Sequence, residues 1–302
     1  MTQTQDSGAN QKRTAAIILN WNGLRHTAQC CESLSRQSGA ALDVFIVDNG
    51  STKNTAAELR DACANASVEI FESKTNLGFA GGVNFALRRI MESGRDYDYF
   101  WLLNNDTICG ATALEEHLAA IQRDEKTAVV GCEMIQIGGK NDGQIIPAGN
   151  RLRPPLFIPR IASAARGGAI DYICGASFFM RAAALRDIGL LDERFFFFFE
   201  DADWCFSAIK KGWKIGATDS PVISHAGSAT IGALSFEKAK YYRAGHVVFL
   251  RKHAAHPLSA SLFAALYRIA IDAFRLNMKA VRGTTTGFIS GWRRPISKYE
   301  HT

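Results

Sequence analysis

Three carboxylates fall within four residues, Glu200, Asp201 and Asp203, directly after five consecutive phenylalanines, Phe195 to Phe199. A carboxylate beside so apolar a run loses solvation, its pKa rises, and it becomes a general base near neutral pH. The competing reading is a solvated acidic turn. Asp106 closes the run Asn104-Asn105-Asp106 after an apolar stretch, with no basic residue close in sequence. It suits a hard divalent cation, Mg2+ or Mn2+, which takes oxygen ligands and bridges phosphates. His225, in Ser224-His225-Ala226-Gly227-Ser228, follows another apolar stretch and is either a metal ligand or a structural histidine.

These residues need elements to hold them. Ala15 to Leu19, Leu42 to Val47, Val68 to Phe71 and Tyr99 to Leu103 are short apolar runs that predict buried strands. Helix-compatible spacing lies between them, at Thr27 to Arg36, Thr55 to Ala64 and Ala80 to Met91. Strands alternating with helices predict an α/β fold with a mostly parallel, twisted sheet and helices on both faces. In such a sheet ligands bind at the carboxyl ends of the strands. Here those ends read Asn20-Trp21-Asn22-Gly23, Asp48-Asn49-Gly50-Ser51, Asn76-Leu77-Gly78 and Asn104-Asn105-Asp106. One such end is an ordinary turn; four in succession predict a polar site along one edge. Gly138 to Gly168 is rich in Gly, Pro and Arg without a period and predicts a long loop over that site. A second structured block, Tyr172 to Ile223, and a helix from Ser235 to His253 follow.

The chain has 302 residues, 47% of them apolar and 21% charged, so it can bury a sizeable core. Residues 1–13 are polar, predict a loose tail and lack the apolar core of a secretory signal. The seven cysteines are odd in number, and no two have the spacing of a zinc ribbon or redox motif. Buried thiols in a reducing cytoplasm are expected. The net charge of +6 is uneven: from Lys240 onward there are 11 basic and 2 acidic residues. A basic tail seeks an anionic partner. Leu258 to Val281 predicts an amphipathic helix with Leu262, Leu266, Ile269 and Phe274 on its apolar stripe. Its longest stretch free of charge and His, Pro257 to Tyr267, is 11 residues, too short to span a bilayer. It either packs on the body or lies on an anionic membrane surface. Nucleic acid is not expected, since the aromatic residues sit at helical spacing and leave no stacking platform.

The ordered motifs NWNG, DNGS, NLGFAGGVN, LLNNDT, CGASFFMR, GLLDERFFFFFEDADWCFS and SHAGSAT resemble the family 2 glycosyltransferases. The subgroup resembled includes bacterial rhamnosyltransferases and galactofuranosyltransferases, and the likeness runs from about Thr14 to about His253. It implies the GT-A fold over residues 14–256, with residues 257–302 as a basic helical appendage. It also implies transfer of a sugar, with inversion, from a dTDP- or UDP-linked donor. The acceptor would be a hydroxyl of a glycan or lipid-linked glycan in bacterial surface polysaccharide synthesis, which with the basic tail suits a cytoplasmic enzyme peripheral on the inner face of the cell membrane. By this resemblance Asp48 meets the nucleobase with Asn20 and Asn22 nearby. Asn76, Gly78 and Asn84 lie along the ribose and diphosphate. Asn104-Asn105-Asp106 stands for the family's Asp-x-Asp motif, so Asp106 would hold the metal, with His225 as a second ligand. Asp201 falls at the catalytic base, with Glu200 beside it. Gly175, Ala176, Ser177, Asp203 and Trp204 would serve the sugar or acceptor side.

Asn104 departs from the family's first acidic position, and a degenerate protein that binds nucleotide sugar or glycan with weak catalysis is the alternative. A nucleotidyltransferase would need a Gly-rich basic loop after the first strand, where this chain has Asn20-Trp21-Asn22-Gly23.

Overall fold

The computed structural model describes residues 12–38, 41–64, 67–162, 170–226 and 236–295. The tail expected over residues 1–13 lies outside them up to residue 11, and Arg13 already opens the first strand. The first half alternates β1 (Arg13–Asn20), α1 (Leu24–Ser35), β2 (Ala41–Asn49), α2 (Ala56–Ala62), β3 (Val68–Ser73), α3 (Gly78–Glu92) and β4 (Tyr99–Asn104). Then come β5 (Thr107–Cys109), α4 (Ala113–Gln122), β6 (Thr127–Gly131), β7 (Met134–Gln136), β8 (Ile145–Ile146), β9 (Gly149–Arg153) and β10 (Ile158–Ala162). The second half holds β11 (Tyr172–Ile173), β12 (Ser177–Arg181), α5 (Ala182–Ile188), α6 (Glu200–Lys210), β13 (Lys214–Ala217) and β14 (Ile223–His225). Three helices close the described chain: α7 (Phe236–His253), α8 (Pro257–Phe274) and α9 (Met278–Arg293).

The central sheet has the order β13-β6-β12-β4-β1-β2-β3, and β12 alone runs against its neighbours. Successive residues of β1 enter opposite cores, Ala15 and Ile17 on one side, Ala16 and Ile18 on the other. That is why these strands are apolar on both faces. The chain steps from β1 outward to β2 and β3, then returns to place β4 on the other side of β1. The ends of β1 and β4 therefore flank a topological switch point, where open sheets leave a crevice.

Two expectations need correction. The stretch 138–168 is not one loop: β8 pairs with β7, and β9, β10 and β11 form a small antiparallel sheet. Its residues 163–168 lie outside the described residues. The tail is not one helix either. It breaks after Phe274, where Leu276 takes a left-handed φ of 54°, and α9 returns to pack on α7. Gly283, Gly287 and Gly291 form a stripe with spacing of four residues against α7. A Cβ at any of them would strike the backbone carbonyl of Phe236, Lys240 or Ala244. Arg251 of α7 donates to the carbonyls of Gly291 and Arg294, locking the far end.

Candidate active site

A cleft of about 860 Å³ opens over the carboxyl ends of the strands. Its floor comes from Leu19, Trp21, Asn49 and Asn104–Asp106, at the ends of β1, β2 and β4. Asn76 and Gly78 enter from the start of α3, and Gly175 and Ala176 precede β12. The Phe196–Ala202 segment and the start of α7 close the opposite side. Asn49 holds the turn before α3: its Oδ1 accepts from Leu77 N at 3.0 Å and its Nδ2 donates to Gly78 O at 3.0 Å. Gly78 has a φ of +76°, and a Cβ there would strike the carbonyl of Phe196. The same carbonyl accepts from Phe79 N at 2.7 Å, tying α3 to the phenylalanine run.

The carboxylates at the start of α6 are set by unusual backbone. Phe198 and Phe199 both take left-handed φ values, 72° and 73°. For bulky residues that conformation costs about 1–3 kcal/mol each and survives only where surroundings enforce it. Here the Phe199 ring stacks on His246 of α7, with centroids 5.0 Å apart, and the carbonyl of Phe198 rests where a Cβ of Gly245 would stand. Glu200 and Asp201 then begin the helix facing the cleft. Asp201 accepts from Gly175 N at 2.9 Å and from Ala202 N at 2.7 Å. Burial pushes its carboxyl up to about 6, against the lowering effect of those two N–H groups. Glu200 is buried with Oε2 lacking a hydrogen-bond partner. Burial, with the charge of Asp201, drives its carboxyl well above the usual range. Two adjacent carboxyls are thereby split into one that holds its proton and one that gives it up near neutrality.

Across the cleft, β14 pairs with β5 so that His225 lies opposite Thr107. This brings His225 Nε2 to 3.1 Å from Asp106 Oδ1. Burial pushes the Asp106 carboxyl up, but the hydrogen bond and charge of His225 more than offset it and hold the group below its usual range. Among the described residues no group of three or more His, Cys, Asp or Glu gathers to hold a metal. The Asp106–His225 pair supplies two donors. That number fits a cation whose other positions are filled by substrate phosphate and water oxygens.

The sequence profile described as "Glycosyl transferase family 2" matches residues 16–189, more than half of the chain. The chain belongs to glycosyl transferase family 2. It is 24% identical over 185 residues to the low-salt glycan biosynthesis hexosyltransferase Agl10 of Haloferax volcanii, covering 60% of this chain and 58% of that one. It is 23% identical over 256 residues to an N-acetylglucosaminyl-diphospho-decaprenol L-rhamnosyltransferase of Mycobacterium tuberculosis, covering 76% of this chain and 81% of the relative. The mannosyltransferase PcManGT of Pyrobaculum calidifontis, solved with GDP-Man and Mn2+, superposes with a TM-score of 0.59 at 15% identity. That match covers 96% of this chain and 77% of the solved one. This glycosyltransferase has the GT-A fold.

The residues singled out in the sequence of this glycosyltransferase do not all line the cleft. Asn76, Gly78, Asn104, Asn105, Asp106, Gly175, Ala176, Glu200, Asp201 and His225 do. Asn20, Asn22 and Asp48 stand outside its lining, in a network that shapes the ends of β1 and β2. Asn20 Nδ2 donates to Asp48 Oδ1 and to Ser51 Oγ, both at 3.2 Å. Asn22 Oδ1 accepts from Thr52 N and Lys53 N, both at 2.8 Å. Four residues face elsewhere. Asn84 clamps the backbone of Leu191. Ser177 accepts from Trp101 Nε1 at 3.0 Å beneath the floor. Trp204 is a core residue whose Nε1 donates to Gly189 O at 2.9 Å. Asp203 points to α7, where it pairs with Lys252 at 2.6 Å and His253 at 2.7 Å. Asn150, Tyr172, Lys238 and Tyr241 line the cleft without having been singled out, while Trp21 and Asn49 enter it from the strand ends expected to form the site. Lys238 and Tyr241, three apart on α7, carry a helical-spacing signal that was there to read.

Proposed function

We propose that this glycosyltransferase moves a sugar, rhamnose first among candidates, from a dTDP- or UDP-linked donor to a hydroxyl of a glycan or lipid-linked glycan, with inversion. The observation that carries the reading is one cleft lined both by Asp201, ionising near neutrality, and by the Asp106–His225 pair. Asp201 takes the proton of the acceptor hydroxyl as that oxygen attacks the anomeric carbon. The bond from that carbon to the diphosphate oxygen breaks, and its electron pair leaves with the nucleotide. A single displacement of this kind inverts the anomeric centre. A divalent cation, Mg2+ or Mn2+, held by Asp106 and His225 would offset the charge of the leaving diphosphate. Asn76, Gly78, Asn104 and Asn105 are proposed to line the donor, with Asn20, Asn22 and Asp48 shaping its nucleobase end. Gly175 and Ala176 lie beside the base, on the sugar or acceptor side.

The rhamnose candidate is supported by the mycobacterial relative, whose name also specifies a lipid-linked acceptor. That acceptor supports work at a membrane surface. The test is a thermal-shift and turnover panel of dTDP-, UDP- and GDP-sugars with and without Mn2+. Metal-dependent release of nucleotide from a dTDP- or UDP-sugar supports the reading. Tight binding without turnover would instead favour a nucleotide-sugar-binding protein, the reading that Asn104 favours.

A further inference from the structure

The helix α8 is built inside out for a protein in water. Its inward positions are small: Ala260, Ser261, Ala264 and Ala265 are buried. Its outward positions are large and apolar: Leu258, Leu262, Phe263, Leu266, Tyr267 and Phe274 are all exposed. The corner after it continues the pattern, with Leu276 86% exposed and Met278 beside it. Leu276 is also the residue that takes the left-handed φ after the helix, a place where glycine or asparagine relieves strain. A leucine there is doubly unfavourable in water, through its backbone and through its exposed side chain. A contiguous apolar face of this kind marks an interaction surface.

The charges around the face select its partner. Arg275, Lys279 and Arg282 are exposed at the corner and along the start of α9, and Arg268 is half-exposed on α8. The acidic residue of these two helices is Asp272, which is buried and paired with Arg268 at 2.8 Å. We propose that α8 and the 274–279 corner insert into the headgroup region of an anionic lipid bilayer, lying in its plane. Apolar side chains enter the acyl boundary while the cations meet lipid phosphates. Two copies of this face brought together would set like charges near one another, which disfavours a second copy as the occupant.

Docking there would reach the cleft through one helix. Arg243 of α7 donates to Ala264 O of α8 at 3.0 Å, and Trp292 of α9 donates to Ser261 Oγ at 3.2 Å. The same α7 presents Lys238, Tyr241 and Tyr242 to the cleft. A single stiff element thus separates the bilayer surface from the acceptor side. The inference rests on the lipid-linked acceptor reading for its purpose only, because the binding test uses neither donor nor acceptor.

The full chain is sedimented with phosphatidylglycerol–phosphatidylcholine vesicles and with phosphatidylcholine vesicles, at about 0.05 M and about 0.5 M salt. Binding to the anionic vesicles that weakens at high salt is expected. Arg275→Gln and Lys279→Gln should each weaken it about fivefold, the equivalent of about 1 kcal/mol per charge. Phe263→Ser with Leu266→Ser should abolish it. Leu276→Gly should weaken it while raising the unfolding temperature, a pair of effects that a merely structural residue would not show. Unchanged vesicle binding in the Phe263/Leu266 variant overturns the proposal. So does a wild-type chain that ignores anionic vesicles but forms a dimer which those substitutions dissolve; the occupant is then a second copy. Donor turnover on a soluble acceptor, run alongside, reports separately on the transferase chemistry.

Discussion

Replacing Asp201 by Asn should separate chemistry from stability in a way that pH reveals. The carboxyl moves from the ordinary 3.8 to about 6 on folding, mainly through burial, a displacement equivalent to about 3 kcal/mol. The folded protein therefore holds this proton more tightly than the unfolded chain does. The resulting stabilisation is complete below about pH 4 and is lost as pH rises through about 6. The wild type should thus lose up to about 3 kcal/mol relative to Asp201→Asn between pH 4 and 7. Glu200 contributes alike to both proteins while it stays protonated. At pH 7 about nine-tenths of Asp201 is ionised, so wild-type kcat/KM should rise across pH 5 to 7 and level off. The variant should lose about 10² to 10⁴ in transfer rate and keep its affinity for the nucleotide. Denaturant titrations at several pH values, with initial rates over the same range, measure both effects. A variant with near-normal turnover, or one whose stability tracks that of the wild type at every pH, would refute the reasoning.

Glu200→Gln should leave the rise near pH 6 in place, since Glu200 already holds its proton; a rate profile that loses this limb would exchange the roles of the two carboxyls. Asp106→Ala should remove the Mn2+ dependence of nucleotide diphosphate binding, and His225→Ala should reduce it less; calorimetry with and without a chelator decides, and unchanged metal dependence counts against the pair. Gly245→Ala drives a methyl into the carbonyl of Phe198, so it should cut turnover more than donor affinity, as kcat and KM measured apart will show. Asp203→Ala removes the carboxylate that holds His253 and one of the two that hold Lys252, which keeps Asp192, and should destabilise by about 1–3 kcal/mol, read by chemical unfolding.

The strand ends were legible because a polar residue at the end of an apolar run has few structural reasons to be there. Asn76, Asn104 and Asp106 do line the cleft. The separation of Asp201 from Asp203 was legible only in part. On a helix, residues two apart point about 200° from one another, so one faces the cleft and the other α7. Without the helix start at Glu200, the cluster reads as a unit. The meeting of Asp106 with His225 spans 119 residues and depends on the pairing of β5 with β14. No local pattern encodes that; only the resemblance pointed to it. The strands β8 to β10 escaped notice because they are short and lack an apolar alternation. The glycines at 283, 287 and 291 repeat every four residues and did announce a close helix contact. The charge of the tail drew attention outward instead.

That repeat also limits how the chain can change length. A residue inserted into the start of α9 would turn everything beyond it by about 100°, swinging Arg282, Thr286 and Ser290 into places where only a hydrogen atom fits against α7. Gains and losses of residues in related chains that keep this contact should therefore fall outside Met278–Arg293, or come as compensated pairs. Substitution at the three glycines should be rarer than at the exposed, chemically more conspicuous Thr285 and Thr286.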